Sequence, residues 1–437
     1  MNKPYPGFLP GLKAGASSGK SGERTSERTT CVVVGGGPAG MVLGLLLARA
    51  GVKVTVLEKH ADFLRDFRGD TVHPSTLELL EELGLYERFA RLPQSRLDEV
   101  AFPVGGGRTV TIADFRRLRG LAHPYIAMVP QWDFLNLIAE AGGEEPTFTL
   151  RMDTEVTGLL HESDRVAGVR YRDLDGDGEI RADLTVACDG RWSLARRETG
   201  LVSREFPVGI DAWWFRLPRE AGDRATLTPR AAPGRFAVVI PREGYLQIAY
   251  IGPKGTDREL RARGIGAFRR DLAELMPELA DRAGALRSMD EVKHLDVRLN
   301  RLRRWHVEGL LCIGDAAHAM SPLGGVGINL AVQDAVAAAT LLAGPLRRRP
   351  PTSRDLAAVR RRRIVPTVAV QTLQRLMHRG LAEPIIRGER QGPPKPVLAA
   401  LDRAPWLSFV PAYLIGKGLR PEHIPGFARR DPARAVR

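Results

Sequence analysis

The stretch Cys31-Val32-Val33-Val34-Gly35-Gly36-Gly37-Pro38-Ala39-Gly40 decides the fold. Its apolar, β-branched start reads as a short buried strand. The turn Gly35-Gly36-Gly37-Pro38-Ala39-Gly40 follows, and Met41–Ala50 is a helix that Gly51 stops. Lys53–Leu57 is a second strand and ends on Glu58, with Lys59 beside it. The unit is strand–helix–strand, so the two strands run parallel. The spacing Gly35-x-Gly37-x-x-Gly40, with Gly44 beyond, gives each glycine a task. Gly35 permits the tight turn, Gly37 lets the backbone approach a pyrophosphate, and Gly40 and Gly44 let the helix lie close on the sheet. Pro38 and Ala39 lie in this cofactor-binding turn, and the free N–H groups at the helix start face the negative pyrophosphate. Glu58 stands about twenty residues past the first glycines, where a carboxylate accepts ribose hydroxyls. An acid there repels a 2′-phosphate, which leaves NAD or FAD.

Outward from this unit, residues 1–28 are rich in Gly, Ser, Lys and Pro, lack apolar periodicity and read as a disordered tail. Within them Ala14-Gly15-Ala16-Ser17-Ser18-Gly19-Lys20-Ser21 imitates a phosphate-binding loop but lacks the strand before it and the helix after it. Downstream, helices are predicted over Ser75–Leu83 and Trp132–Ala141. Short β segments lie between Val100 and Val129, with a hairpin at Gly105-Gly106-Gly107. Val166–Arg172 and Ile180–Cys188 pair across Asp175-Gly176-Asp177-Gly178. That turn imitates a calcium loop, but Leu184 holds the closing position and strands flank it, so it reads as a hairpin. Residues 206–295 hold β segments at Ala212–Leu217, Phe236–Ile240 and Tyr245–Ile251, interrupted by a helix over Ile265–Leu279. Leu310–Ile313 is another buried strand, and Ile328–Leu342 a helix. From Gly344 the chain is helical, basic and broken by prolines.

The expected class is α/β. A Rossmann-like nucleotide-binding domain spans 29–205 plus 296–343, interrupted by β segments near 100–129. A β-sheet substrate domain is inserted at 206–295, and a helical region fills 344–437. The chain of 437 residues, 43% hydrophobic, can fill such cores. Three cysteines, Cys31, Cys188 and Cys312, form no CxxC pair, and no signal peptide precedes them, so a reducing cytoplasm is expected. No apolar run of membrane-spanning length is expected. The histidines never pair with cysteines or carboxylates at ligand spacing, so no metal is expected. The net charge of +14 includes basic runs at Arg347–Arg349 and Arg360–Arg363. It reads first as a solvated face, with an anionic cofactor or membrane surface as the sharper alternatives. No nucleic-acid reading motif accompanies it.

Two later motifs choose the nucleotide. Leu311-Cys312-Ile313-Gly314-Asp315-Ala316-Ala317-His318 runs into Ser321-Pro322-Leu323-Gly324-Gly325-Val326-Gly327-Ile328-Asn329. A buried strand ends in a carboxylate, and a Gly-rich turn then opens an apolar helix. Asp315 is placed to bind a ribityl chain, and the helix start at Gly324–Asn329 aims N–H groups at a developing anion. Reduced flavin carries such charge on its pyrimidine side. The other motif, Cys188-Asp189-Gly190-Arg191-Trp192-Ser193 with Arg196, follows a strand and brings backbone close to a ligand.

With the GxGxxG, DG and GD motifs in this order, the chain resembles the single-component FAD-dependent aromatic hydroxylases of the p-hydroxybenzoate hydroxylase type, over roughly Thr30 to Leu342. The resemblance implies FAD, reduced transiently by NADH or NADPH. Gly35, Gly37, Gly40 and Glu58 would bind its ADP half, and Asp315, after Gly314, the ribityl region. Pro322, Gly324, Gly325, Gly327, Ile328 and Asn329 would lie beside the ring. It further implies Arg68 near the pyrophosphate, Gln131 at the ribityl chain and Asp189 in FAD and NAD(P)H handling. It also implies no second nicotinamide domain, and no second fingerprint occurs. The implied reaction with O2 passes through a flavin C4a-hydroperoxide that hydroxylates or epoxidises an aromatic or polyketide-like small molecule. No side-chain nucleophile is required.

His73, close after Arg68, is a candidate proton relay weighed against a structural histidine, and His318 is read as holding the loop after Asp315. Trp213, Trp214, Arg216, Gln247 and Tyr250 are substrate-lining candidates, weighed against plain core packing. The apolar stretch Pro405–Ile415 packs on the body of the protein or faces a membrane. A flavin dehydrogenase or reductase without oxygen transfer stays open, as does a flavin-holding, membrane-associated protein. The halogenase signature WxWxIP is absent, since Trp213-Trp214-Phe215-Arg216-Leu217-Pro218 has other spacing.

Overall fold

The computed structural model describes residues 26–64, 71–105, 108–223, 227–232, 234–390 and 392–430. The imitation phosphate loop at Ala14–Ser21 and Arg68 lie outside them.

The first strand, Glu27–Val34, begins within the stretch expected as tail. Arg28 is held there by Asp183 and Glu27 by Arg151, so charged residues extend the strand end. This strand is the centre of a parallel sheet. Val54–Leu57 and then Phe148–Arg151 lie on one side, and Gly176–Ala187 and then Leu310–Cys312 on the other. Strand order therefore reverses at Glu27–Val34, the switch point at which open α/β sheets bind ligands beyond their carboxyl ends. All the sequence motifs sit at those ends. Phe148–Arg151 was not expected. Its ring explains Gly44, where a Cβ would meet Phe148 Cε2 and Val56 Cγ2, each at 2.8 Å. The hairpin Arg165–Asp173 with Gly176–Ala187 forms as expected, the first strand also pairing with Glu155–Glu162.

Helices Pro38–Arg49 and Gly327–Leu346 pack together against this sheet. The latter runs past the expected boundary at Gly344 and carries Pro345 in its last turn, where few downstream hydrogen bonds remain to be lost. It is long and apolar enough to cross a membrane, contrary to the expectation from apolar runs, but most of its residues are buried in this core. Ser353–Met377 follows, opened by a capping box of Thr352 and Asp355. Pro366 does not break it. The proline is buried, and Thr367 Oγ1 donates to the Arg363 carbonyl at 2.8 Å in the adjoining turn.

A second, antiparallel sheet has the order Thr228–Ala232, Arg235–Pro241, Tyr245–Pro253, Ile210–Pro218, Lys293–Leu295. One face carries Trp213, Phe215, Leu217, Leu246, Ile248 and Tyr250 against helix Gly264–Leu275. The other face turns towards the first unit, where Ala212, Phe236 and Ile251 share a cluster with Met320, Val326 and Leu330. A hairpin of Glu99–Gly105 and Arg108–Asp114 stands beside it. The C-terminal stretch only partly packs as expected: Ala412 is fully buried, but Trp406 is 64% exposed and Phe409 and Val410 also face solvent. Its short turns have two sides, and the hairpin and the loop after it cover one.

Candidate active site

The nucleotide turn is built by close approach. Gly35 has φ +102°, a left-handed value that disfavours a side chain. A Cβ there would fall 2.6 Å from the Cys188 carbonyl oxygen and 3.1 Å from Asp189 Cα. A Cβ on Gly40 would fall 2.0 Å from the Gly35 carbonyl oxygen. At Gly37 a Cβ would meet no protein atom within 4 Å, so this side of the turn is a cradle open to a ligand. Helix Pro38–Arg49 has no side-chain cap and no acid in its first turn, which leaves its N-terminal dipole to an anion. Glu58 Oε2 accepts the Gly36 N–H at 3.0 Å and Oε1 the His60 N–H at 3.2 Å, so the carboxylate is fixed beside the turn. Lys59 is exposed next to it.

The DG and GD motifs meet the same turn. Asp189 Oδ2 accepts the Leu194 N–H at 2.8 Å, whereas Oδ1 is buried without a hydrogen-bond partner among the described residues. Burial pushes its carboxyl up. At Gly314 a Cβ would stand 3.3 Å from both Ala39 Cβ and Ala331 Cβ, so the GD turn is wedged between the two core helices. Arg191 Nη2 reaches Asp315 Oδ2 at 3.4 Å and joins the motifs directly. No local sequence pattern marks Arg191 for this role.

Gly324 and Gly325 both have positive φ. A Cβ on Gly325 would fall 2.4 Å from Thr71 Oγ1, which instead donates to the Gly325 carbonyl at 2.8 Å. Asn329 holds this arrangement from within. Its Oδ1 accepts the His73 N–H at 2.9 Å and Thr76 Oγ1–H at 2.7 Å, and its Nδ2 donates to the Thr71 carbonyl at 3.3 Å. With the side chain so engaged, only the Asn329 backbone is left for a cofactor. Helix Gly327–Leu346 again has no side-chain cap and no acid in its first turn, with Gly327 and Ile328 at its opening and Pro322 upstream on the loop. His73 Nδ1 pairs with the Ile415 carbonyl at 2.8 Å, and burial lowers its pKa to about 4, so it is a neutral strut here.

Beneath the loop lies a buried chain that the sequence reading missed. His318 Nε2 stands 2.5 Å from Asp334 Oδ2, which also accepts the Gly314 N–H at 3.2 Å. Arg363 Nε donates to Asp334 Oδ1 at 2.9 Å, and Arg363 Nη1 approaches Glu422 at 3.4 Å. Burial pushes the Asp334 carboxyl up, but His318 and Arg363 together outweigh it and hold it below its ordinary value. The available signal was a lone acid, Asp334, in the apolar run after Asn329, since such a charge needs a partner. His318 does hold the GD turn, through Asp334. Cys31, Cys188 and Cys312 are raised by burial and are inert packing groups.

Two substrate candidates need correction. Trp213 and Tyr250 pair across neighbouring strands and both point to the helix-covered face, away from the Gly-rich loop. Strand alternation carries Trp214, Arg216 and Gln247 to the other face. Arg216 lies 5.9 Å from the Trp132 ring centroid, which ties the second sheet to helix Gln131–Gly143, with Gln131 at its first position.

This geometry fits a dinucleotide with a ring beside the second helix start. Residues 28–372 match the family described as FAD binding domain. The chain belongs to this FAD-binding family. The flavoprotein is 35% identical over 359 residues to 6-methylpretetramide 4-monooxygenase of Streptomyces rimosus, covering 80% of this chain and 84% of that protein. It is 30% identical over 321 residues to rifampicin monooxygenase of Streptomyces venezuelae, covering 70% of this chain and 62% of that protein. The structure of OxyS anhydrotetracycline hydroxylase from Streptomyces rimosus superposes with a TM-score of 0.71 at 25% identity, covering 89% of this chain and 76% of that one. The flavoprotein is an FAD-dependent monooxygenase.

Proposed function

We propose that this monooxygenase uses NADH or NADPH and O2 to hydroxylate a ring-fused aromatic of the polyketide type, in the reducing cytoplasm. The observation that carries the substrate class is the wall opposite the Gly-rich loop. Phe102, Ile112, Val238, Leu323 and Ile415 line or pack against one apolar cluster between the second sheet and that loop. A flat, apolar ligand is what such a surface desolvates best. The relatives named for 6-methylpretetramide and rifampicin support the same class.

Bound FAD supplies hydride acceptance and O2 activation. The chain's own residues do the rest. The Gly37 cradle and the helix start at Pro38 receive the pyrophosphate, and Glu58 stands where ribose hydroxyls need an acceptor. Asp315, oriented by Arg191, is placed for the ribityl chain. The uncapped start of Gly327–Leu346 directs N–H groups at charge that develops on a ring, while Asn329 and Thr71 keep the loop from moving. The second sheet and Ile415 exclude water from the reacting face.

The test is NAD(P)H oxidation by the FAD-loaded protein against a panel of polycyclic phenols and ketones, with product masses and isotope-labelled O2. The expected result is substrate-stimulated oxidation with one labelled oxygen in the product. Oxidation that yields only reduced substrate, or no stimulation by any ring compound, overturns the reading.

A further inference from the structure

The pocket-side face of the second sheet is a grid of paired rows. Ala212, Ile251 and Phe236 form one row, Trp214, Ala249 and Val238 the next, and Arg216, Gln247 and Ile240 the third. The first row shares its cluster with Val326, and Leu323 packs against that same cluster, so the second row is one strand step from the Gly-rich loop. Trp214 therefore stands in the middle row of the wall. Its ring packs on a cluster against which Leu227, Tyr413 and Ile415 also pack. Ala249, directly across from it, is the smallest side chain in the third strand's share of the grid.

One atom in this wall is anomalous. Trp214 Nε1 is shielded from solvent and has no hydrogen-bond partner among the described residues. An indole N–H is a donor only, and buried donors in native structures are almost always met. Trp305 Nε1 is also unmet, but Trp305 sits in the core of the nucleotide-binding unit beside His318 and faces no wall. Trp214 differs because strand alternation puts it on the sheet face that turns towards the Gly-rich loop.

Resting on the proposed function above, we infer that Trp214 Nε1 is the hydrogen-bond donor that reads a keto oxygen of the substrate, and so sets which ring edge faces the flavin loop. A specificity-determining donor inside an apolar wall discriminates strongly, since a ligand lacking the acceptor leaves it buried and unmet.

The test is equilibrium binding to the FAD-loaded full chain without reductant, read from the flavin absorbance, so that it is independent of turnover. The probes are a dihydroxyanthraquinone and the matching dihydroxyanthracene, which lacks only the keto oxygens. In Trp214→Phe, with FAD content unchanged, the anthraquinone should bind about tenfold more weakly while the anthracene changes less than about twofold. Trp214→Leu, which keeps the wall apolar and has no donor, serves if the first variant does not fold. Equal weakening of both probes, no change in either, or failure of the unaltered protein to bind either would overturn the inference. Binding as expected without oxygen insertion would instead overturn the proposed reaction alone.

Discussion

Glu58 is fixed at the end of its strand by the Gly36 N–H, with the Gly37 cradle beside it. Glu58→Ala removes an acceptor for ribose hydroxyls, so FAD should dissociate at least about tenfold more readily in an absorbance titration. Unchanged affinity would mean the ribose acid lies elsewhere. Two buried histidines brace the ring loop: His73 through Ile415, and His378 through Ser321 Oγ at 2.8 Å. Burial lowers each to about 4 from 6.5. The unfolded chain takes up these protons more readily, so their stabilisation is complete above pH 6.5 and is lost as pH falls towards 4, roughly 3 kcal/mol for each. Thermal midpoint and FAD retention should decline across that window, and less so in a His73→Asn, His378→Gln double variant. An identical acid slope in the variant would remove the histidines from the account. At this scale the glycines and Glu58 were legible because each answers a local steric or charge demand. Trp213 and Trp214 were not separable, since alternation says they face opposite ways but not which way the site lies.

The helix Gly327–Leu346 links the ring loop to the C-terminal segment, because Asp334 accepts from Gly314 and from His318 while meeting Arg363. Arg363→Met leaves a buried carboxylate short of its cation and should cost about 3–5 kcal/mol, seen as a large drop in thermal midpoint with loss of FAD. A variant as stable as the parent would show that the network is dispensable. Gly40→Ala presses a methyl group against the Gly35 carbonyl and should cost about 1–3 kcal/mol or more by overpacking. A soluble variant with native stability would contradict the close packing of this helix on the turn. Elements with strong periodicity and caps were readable, including Pro38–Arg49 and the hairpin across Asp175. Phe148–Arg151 escaped because its pattern is short and only half-buried, and the persistence of Ser353–Met377 through Pro366 depends on tertiary packing that no local signal reports.

Across the whole molecule, a parallel sheet that reverses order at its first strand brings together turns at residues 35, 189 and 315. The second sheet then roofs the loop after the last of them. That convergence was inferable from motif order, whereas the placement of the roof and of Ile415 against His73 needed the tertiary structure. The direct measurement is calorimetric titration of the purified full chain with FAD, alongside Glu58→Ala, Asp189→Asn and Asp315→Ala. Convergence predicts one FAD for each chain, with weaker binding in every variant while each stays folded. A colourless chain that takes up no FAD, or variants at any of these turns that bind it as tightly as the parent, would contradict it.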